Sequence, residues 1–309
     1  MFAVSTLPTL RAAFEATGSG AWLMRAIVAC GLDEANGYRL ALQLGDDRIR
    51  GERHATEARL IDGEVELIDT DWLSLARHRA AGLPLVAAAP YGAIFGGLVA
   101  PRGGALRSLA DLPGKRIGLV HAQDKNWLLL RAACRLRHGF DPAEVSHCIA
   151  AGSKSALHDA LCGGGLDAAL LYWHQVPGLV AGGAFREVCD LAGLLATFPV
   201  PRPQVPTSFF VCHEDLPRSA PALLQGFARS VSAAAARLRA DPGLWSRVSG
   251  VPVGSWAGAA LRRKWLARVG LAWAPEMAAR LQELADLMAP PGAPRHALPA
   301  GCLAAGLLL

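Results

Sequence analysis

The hydrophobic pattern divides the chain into strand-like and helix-like runs separated by glycine turns. Residues 10–16 read as a short strand, Thr17-Gly18-Ser19-Gly20 as a turn, and residues 22–30 as an apolar helix that Gly31 ends. Residues 38–44 alternate apolar and polar positions as a strand does. A second candidate strand at 65–68 leads through Asp69-Thr70-Asp71-Trp72 into a helix over 73–80. This strand and helix rhythm predicts a parallel sheet covered by helices.

A continuous apolar strand at 85–89 reaches Pro90-Tyr91-Gly92, and the further apolar run at 94–100 suggests a crossing between lobes. The rhythm then restarts. A short helix at 107–111 and the Pro113-Gly114 turn precede a strand at 116–121, a helix at 126–138, a strand at 145–150 and a helix at 154–161. After Gly163-Gly164-Gly165 comes a buried strand at 168–172, ending in Trp173-His174. The segment 199–206 carries four prolines, so it is expected to be extended and outside any sheet centre. Residues 208–212 are again strand-like, helical patterns cover 220–240, 257–269 and 275–288, and the chain beyond Pro290-Pro291 reads as a tail. In open α/β sheets ligands bind beyond the carboxyl ends of the strands, which makes the loops there the candidate site.

Composition narrows this picture. With 309 residues, 52% of them hydrophobic and 18% charged, the chain is long enough for two cores, and disordered and fibrous classes are excluded. A net charge of +5 and a pI near 9.0 invite a nucleic-acid reading. The positive residues are scattered, however, and the densest run, Arg262-Arg263-Lys264, falls in a helical pattern where a solvated face is expected. Seven cysteines, an odd number without CxxC or other metal-ligand spacing, sit mostly in apolar runs and are expected to be small buried hydrophobes. The first nine residues lack the basic and apolar regions of a secretory leader, and no apolar run reaches the roughly 18 residues of a membrane span.

The stretch Ser108-Leu109-Ala110-Asp111-Leu112-Pro113-Gly114-Lys115-Arg116-Ile117-Gly118-Leu119 resembles the "sLaDLkGKriGv" segment of periplasmic-type solute-binding proteins. It fits best the branch that includes binders of nitrate, sulfonates, taurine and thiamine precursors. Residues 14–31 resemble that family's opening strand, ligand loop and helix, residues 63–71 its "Gevdi" strand, and Leu166-Asp167-Ala168-Ala169-Leu170 its "vDAav" strand. The resemblance runs in order and spacing from residue 10 to 288. It implies an α/β, two-lobed periplasmic-binding-protein fold (type II) with the ligand cleft between the lobes. Residues 10–89 plus 208–288 would form lobe one, 90–207 lobe two and 289–309 a C-terminal tail, with hinges near Pro90-Tyr91-Gly92 and Pro206-Thr207-Ser208.

Within that frame the loops at strand ends supply candidate ligand contacts. Ser19 lies in a glycine turn at a helix N-terminus, whose dipole favours negative charge. Gln123 and Lys125 lie in a second such loop, where Asp124 is expected to cap the helix. Four of the eight tryptophans, Trp22, Trp72, Trp127 and Trp173, fall at or just after strand ends, and about half of them are expected to pack the lobe interiors. The expected ligand-binding set is Ser19, Trp22, Asp71, Trp72, Tyr91, Gln123, Lys125, Trp173, His174 and Thr207. Its rings suit a planar or aromatic ligand, and its helix termini an acidic group. His121 and His174 with Asp69 or Asp71 offer no metal-spacing motif, so neither a metal nor a cofactor is expected.

The function implied is that of a non-enzymatic binding protein. It would take a small organic solute, anionic or aromatic, and deliver it to a membrane permease of an ABC importer, as a periplasmic monomer without nucleic-acid partners. Two alternatives rest on the same fold: a cytosolic enzyme in a cofactor-precursor pathway, favoured by the lack of a visible leader, and a ligand-sensing module.

Overall fold

The computed structural model of the chain describes residues 7–50, 53–198 and 205–289. Its first part runs through β1 (Thr9–Glu15), α1 (Ser19–Ala29), α2 (Leu32–Ala35), β2 (Arg39–Gly45), the short pair β3 (Ile49–Arg50) and β4 (Arg53–His54), α3 (Ala55–Ile61), β5 (Ile68–Asp71), α4 (Trp72–Ala80) and β6 (Leu85–Gly92). β1 pairs in parallel with β2 from Thr9 to Glu15, and Ala12 bridges Leu67 on its other side. Leu10, Ala12 and Phe14 are thereby held against Trp22, Leu23 and Ile27 of α1.

The second part contains β7 (Gly97–Pro101), β8 (Arg116–Leu119), α5 (Lys125–His138), α6 (Pro142–Val145), β9 (His147–Ala150), α7 (Lys154–Cys162), β10 (Ala168–Leu171), α8 (Val176–Ala181), β11 (Phe185–Asp190) and α9 (Leu191–Leu194). Its five strands lie in the order β11, β7, β10, β8, β9. β8 is parallel to β9 and β10, whereas β7 is antiparallel to β10 and β11. The chain then returns to the first part as β12 (Ser208–His213), which lies between β5 and β6 and antiparallel to both. Five helices follow: α10 (Asp215–Ser219), α11 (Pro221–Ala240), α12 (Pro242–Ser249), α13 (Trp256–Arg268) and α14 (Met277–Met288).

The purely parallel sheet expected from the pattern is thus corrected to mixed sheets. The antiparallel strands β7 and β12 are those that carry the chain from one part to the other and back, so their direction is set by the crossing. The isolated pattern also missed β11 and α12. Residues 199–204 of the proline segment and the tail from 290 lie outside the described residues.

The crossing is stitched on several sides. Thr207 N–H donates to the Gly92 carbonyl at 2.9 Å, and Ala93 N–H to the Arg268 carbonyl at 2.9 Å. From α13, Lys264 reaches Glu187 at 2.6 Å, and the guanidinium of Arg268 meets both oxygens of Asp190 at 2.7 Å. Both acids belong to β11, so α13 of the first part grips the edge of the second. The last helix goes further: Leu281, Leu284 and Met288 of α14 join the cluster that contains Leu129 and Cys134 of α5. Cys134 and Cys212 are buried as expected, but Cys148 and Cys162 are exposed. Among the described residues no helix is long and apolar enough to cross a membrane.

Candidate functional site

Three helices, α1, α5 and α7, present their first residues to one cavity of about 90 Å³, and a fourth, α4, presents its cap, Asp71. They follow β1, β5, β8 and β9, and the residues after β10, Tyr172, Trp173 and His174, complete the wall. Three of the helices carry side-chain caps. Asp71 accepts from the N–H groups of Leu73 and Ser74 of α4 at 2.9 and 3.0 Å, Asp124 from Asn126 N–H of α5 at 2.7 Å, and Ser153 from Ala156 N–H of α7 at 3.0 Å. α1 starts after Gly18, which has φ 98° and no side chain to cap with, so its first turn is left open at the cavity.

Charged side chains tie the two parts of the molecule across this space. The Lys154 ammonium pairs with Glu15 at the end of β1, and the other oxygen of Glu15 stands 3.3 Å from His54 Nδ1. Lys125 Nζ lies 3.7 Å from Asp71. Lys154 Nζ also sits 4.0 Å over the centre of the Tyr172 ring, and the Tyr172 hydroxyl donates to Asp124 at 2.8 Å. On the opposite wall the Tyr91 hydroxyl donates to Asp69 at 2.8 Å.

Burial and these neighbours set the protonation states. Burial works against ionisation of Glu15, but Lys154 and His54 outweigh it and hold the carboxyl far below its usual range. Asp69 behaves oppositely: burial and the nearby charge of Glu15 raise its carboxyl, in spite of the Tyr91 hydrogen bond. Burial, with Asp69 beside one and Asp124 beside the other, pushes the Tyr91 and Tyr172 phenols well above their ordinary value, so both act as neutral donors. Burial and then Lys154 depress the His174 imidazole to about 3, so it is neutral at pH 7.

Of the ten expected contacts, Ser19, Asp71, Tyr91, Lys125, Trp173 and His174 line the cavity. Four stand elsewhere, each for a local reason. Trp22 turns inward and packs edge-on against Trp173 and Trp245, at 5.6 and 5.7 Å between ring centres. Trp72, the first residue after the Asp71 cap, is fully buried against Phe95. Gln123 precedes the Asp124 cap and points to solvent. Thr207 is consumed by the crossing, where its Oγ1 accepts from Ile94 N–H at 3.0 Å, and its neighbour Ser208 lines the cavity instead.

Glu15, His54, Lys154 and Tyr172 also line the cavity without being among the expected contacts, as does Asp69, which the sequence offers only as a metal candidate. The rule that selected Asp71 and Lys125, a polar residue where a strand ends or a helix begins, would also have selected Glu15 and Lys154. No such signal existed for His54, which arrives on the unforeseen β4. Among the described residues no three His, Cys, Asp or Glu side chains are grouped so as to hold a metal ion.

Behind the cavity, buried Glu57 accepts from His54 N–H at 3.1 Å and the Thr70 hydroxyl at 2.6 Å, and stands 3.3 Å from His78 Nε2. Burial alone would raise its carboxyl, but His78 and His54 outweigh it and lower it to about 2. A depressed carboxyl contributes stability that is complete above its unfolded value of 4.5 and is lost as pH falls toward 2. Glu57→Gln is therefore expected to flatten the decline of melting temperature between those two values. An unchanged acid limb in thermal melts across pH would contradict this origin of acid sensitivity.

The fold has close counterparts. The aliphatic sulphonate binding protein SsuA of Escherichia coli superposes with a TM-score of 0.70 at 19% identity, over 91% of this chain and 92% of that one. The alkanesulfonate-binding protein SsuA of Xanthomonas axonopodis pv. citri, solved with MOPS bound, gives 0.74 at 18% identity over 97% and 99%. A ligand-binding component of an ABC-type import system from Staphylococcus aureus, solved with zinc bound, gives 0.68 at 13% over 91% and 90%. At such identities these likenesses establish the two-lobed periplasmic-binding-protein fold. No curated protein sequence matches the chain significantly. A family model does: the one described as "NMT1/THI5 like" matches residues 50–243, more than half of the chain and most of the cavity's lining. The chain belongs to the NMT1/THI5-like family.

Proposed function

We propose that the chain is the solute-binding component of an ABC importer, working outside the cytoplasm and handing a small organic solute to a membrane permease. The observation that carries this reading is the cavity itself. It is walled by residues from both parts of the molecule and bridged by the pairs of Glu15 with Lys154 and Asp71 with Lys125. A ligand held there contacts both lobes at once, which is how a solute can bias an open and closed equilibrium. The rings of Tyr91, Tyr172 and Trp173 suit a planar or apolar body.

In this reading the first lobe comprises residues 10–89 and 208–269, the second 90–207, and α14 is assigned to the second because it packs on α5. The hinges are the segments joined by the Thr207 to Gly92 hydrogen bond.

The test is a thermal-shift screen of the purified chain against sulfonates, carboxylates, and thiamine and flavin precursors, followed by small-angle scattering with each stabilising compound. A ligand that binds only the native state raises stability by about 2.7 kcal/mol at a hundredfold excess over Kd. The expected result is stabilisation by one class, with compaction and with the compound recovered unchanged. Conversion of the compound would favour an enzyme on this fold, and stabilisation without compaction would remove the transport reading.

A further inference from the structure

The charges of the cavity bear on which solute it takes, given the solute-binding reading above. Four acidic side chains, Glu15, Asp69, Asp71 and Asp124, face two lysines, and each lysine already has a carboxylate partner. Three of the carboxylates are committed: Glu15 to Lys154 and His54, Asp71 to the α4 cap and Lys125, Asp124 to the α5 cap and Tyr172. Asp69 is the exception. It has the Tyr91 hydroxyl on one oxygen and, among the described residues, no ion-pair partner. Its carboxyl, raised by burial and by Glu15, lacks the compensating positive charge that a cationic ligand would bring.

His174 is the second group left open. Its imidazole makes ring contacts with Trp22, Tyr172 and Trp173, yet it has no hydrogen-bond partner among the described residues. Being neutral, it offers an acceptor nitrogen to the cavity. Both groups flank the first turn of α1. A side chain at Gly18 would come within 3.6 Å of the His174 ring, and one at Gly20 within 2.6 Å of the Asp69 carboxylate. The uncapped first turn of α1 thus lies between these two acceptors.

We infer that the polar end of the solute is a nitrogen donor, an ammonium or amidinium group, received by Asp69 and His174 at the first turn of α1. An anionic solute would find both lysines already paired and would have to displace Glu15 from Lys154 or Asp71 from Lys125. A cationic one fills the acceptors left open. The chain as a whole carries a net charge of +5, so a preference for cations must come from the cavity and not from the molecule's overall field.

Benzamidine and benzenesulfonate share one ring and differ in the sign of the attached charge, so they isolate this feature. Calorimetric titration of the unmodified chain at fixed ionic strength is expected to give at least tenfold tighter binding of benzamidine. Asp69→Asn should weaken benzamidine at least tenfold without weakening benzenesulfonate, with its melting curve as the check on folding. The comparison on the unmodified chain decides the matter even if that variant does not fold. Equal or tighter binding of benzenesulfonate, with compaction in small-angle scattering, overturns the inference and leaves the solute-binding reading standing. No binding of either probe overturns the inference as well, and the broader screen described above then decides the solute-binding reading separately.

Discussion

Replacing Lys154 with methionine is expected to cost about 3 kcal/mol of stability at neutral pH, the scale on which breaking one half of a buried ion pair acts. Lys154 and Glu15 are 9% and 14% exposed, and among the described residues the other cationic partner of Glu15 is His54. Without the ammonium, the Glu15 carboxylate keeps its desolvation penalty and loses its main compensation. The sign of the pH dependence follows. The unmodified chain draws stability from the lowered Glu15 carboxyl above the unfolded value of 4.5 and loses it as pH falls. The difference between the two proteins should therefore be greatest at pH 7 and shrink in acid, as measured by urea unfolding at pH 7 and pH 4. A difference that stays constant with pH would refute the assignment. Arg218→Met, which breaks an exposed pair with Asp215, should change little at either pH. Because the Lys154 pair joins β1 to α7, the same variant should also scatter as a more open particle.

That prediction concerns residues whose importance was only half legible in the chain. The strand and helix order could be read because β1, β8 and β10 are short apolar runs stopped by glycine or polar residues, and such local patterns survive folding unchanged. The direction of β12 could not be read, since its antiparallel place between β5 and β6 is decided by a crossing of more than a hundred residues. β11 escaped notice for a different reason: Phe185-Arg186-Glu187-Val188-Cys189-Asp190 is a half-exposed edge strand, whose polar positions serve Lys264 and Arg268. The tryptophans misled most. Position after a strand does not say which way a ring turns, and Trp22 and Trp72 gain more from full burial than from a place in a polar cavity. The caps Asp71 and Asp124 were easier, because a carboxylate before a helix has a local partner whatever else surrounds it.

Gly96→Ala should be among the most damaging single-methyl additions at the described glycines. Gly96 is buried in the crossing between β6 and β7, where its N–H donates to Asn126 Oδ1 at 2.8 Å and its carbonyl accepts from Leu191 N–H at 3.0 Å. A Cβ built there would overlap the carbonyl oxygen of Leu171, a backbone atom that cannot rotate away. Overpacking of this kind costs about 1–3 kcal/mol when side chains can adjust, and the upper end or more is expected when backbone must move. The movement has a functional consequence as well. Leu171 ends β10, and the next three residues are Tyr172, Trp173 and His174, which wall the cavity. Displacing that strand end shifts three lining side chains together, so ligand affinity should fall at least tenfold in whatever native protein remains. Gly103→Ala, at an exposed position where an added Cβ meets nothing within 4 Å, should leave both melting temperature and affinity unchanged. A Gly96→Ala protein that melts and binds like the parent would mean that the crossing segment is free to move away from β10, and that it is held less tightly there than the hydrogen bonds of Gly96 imply.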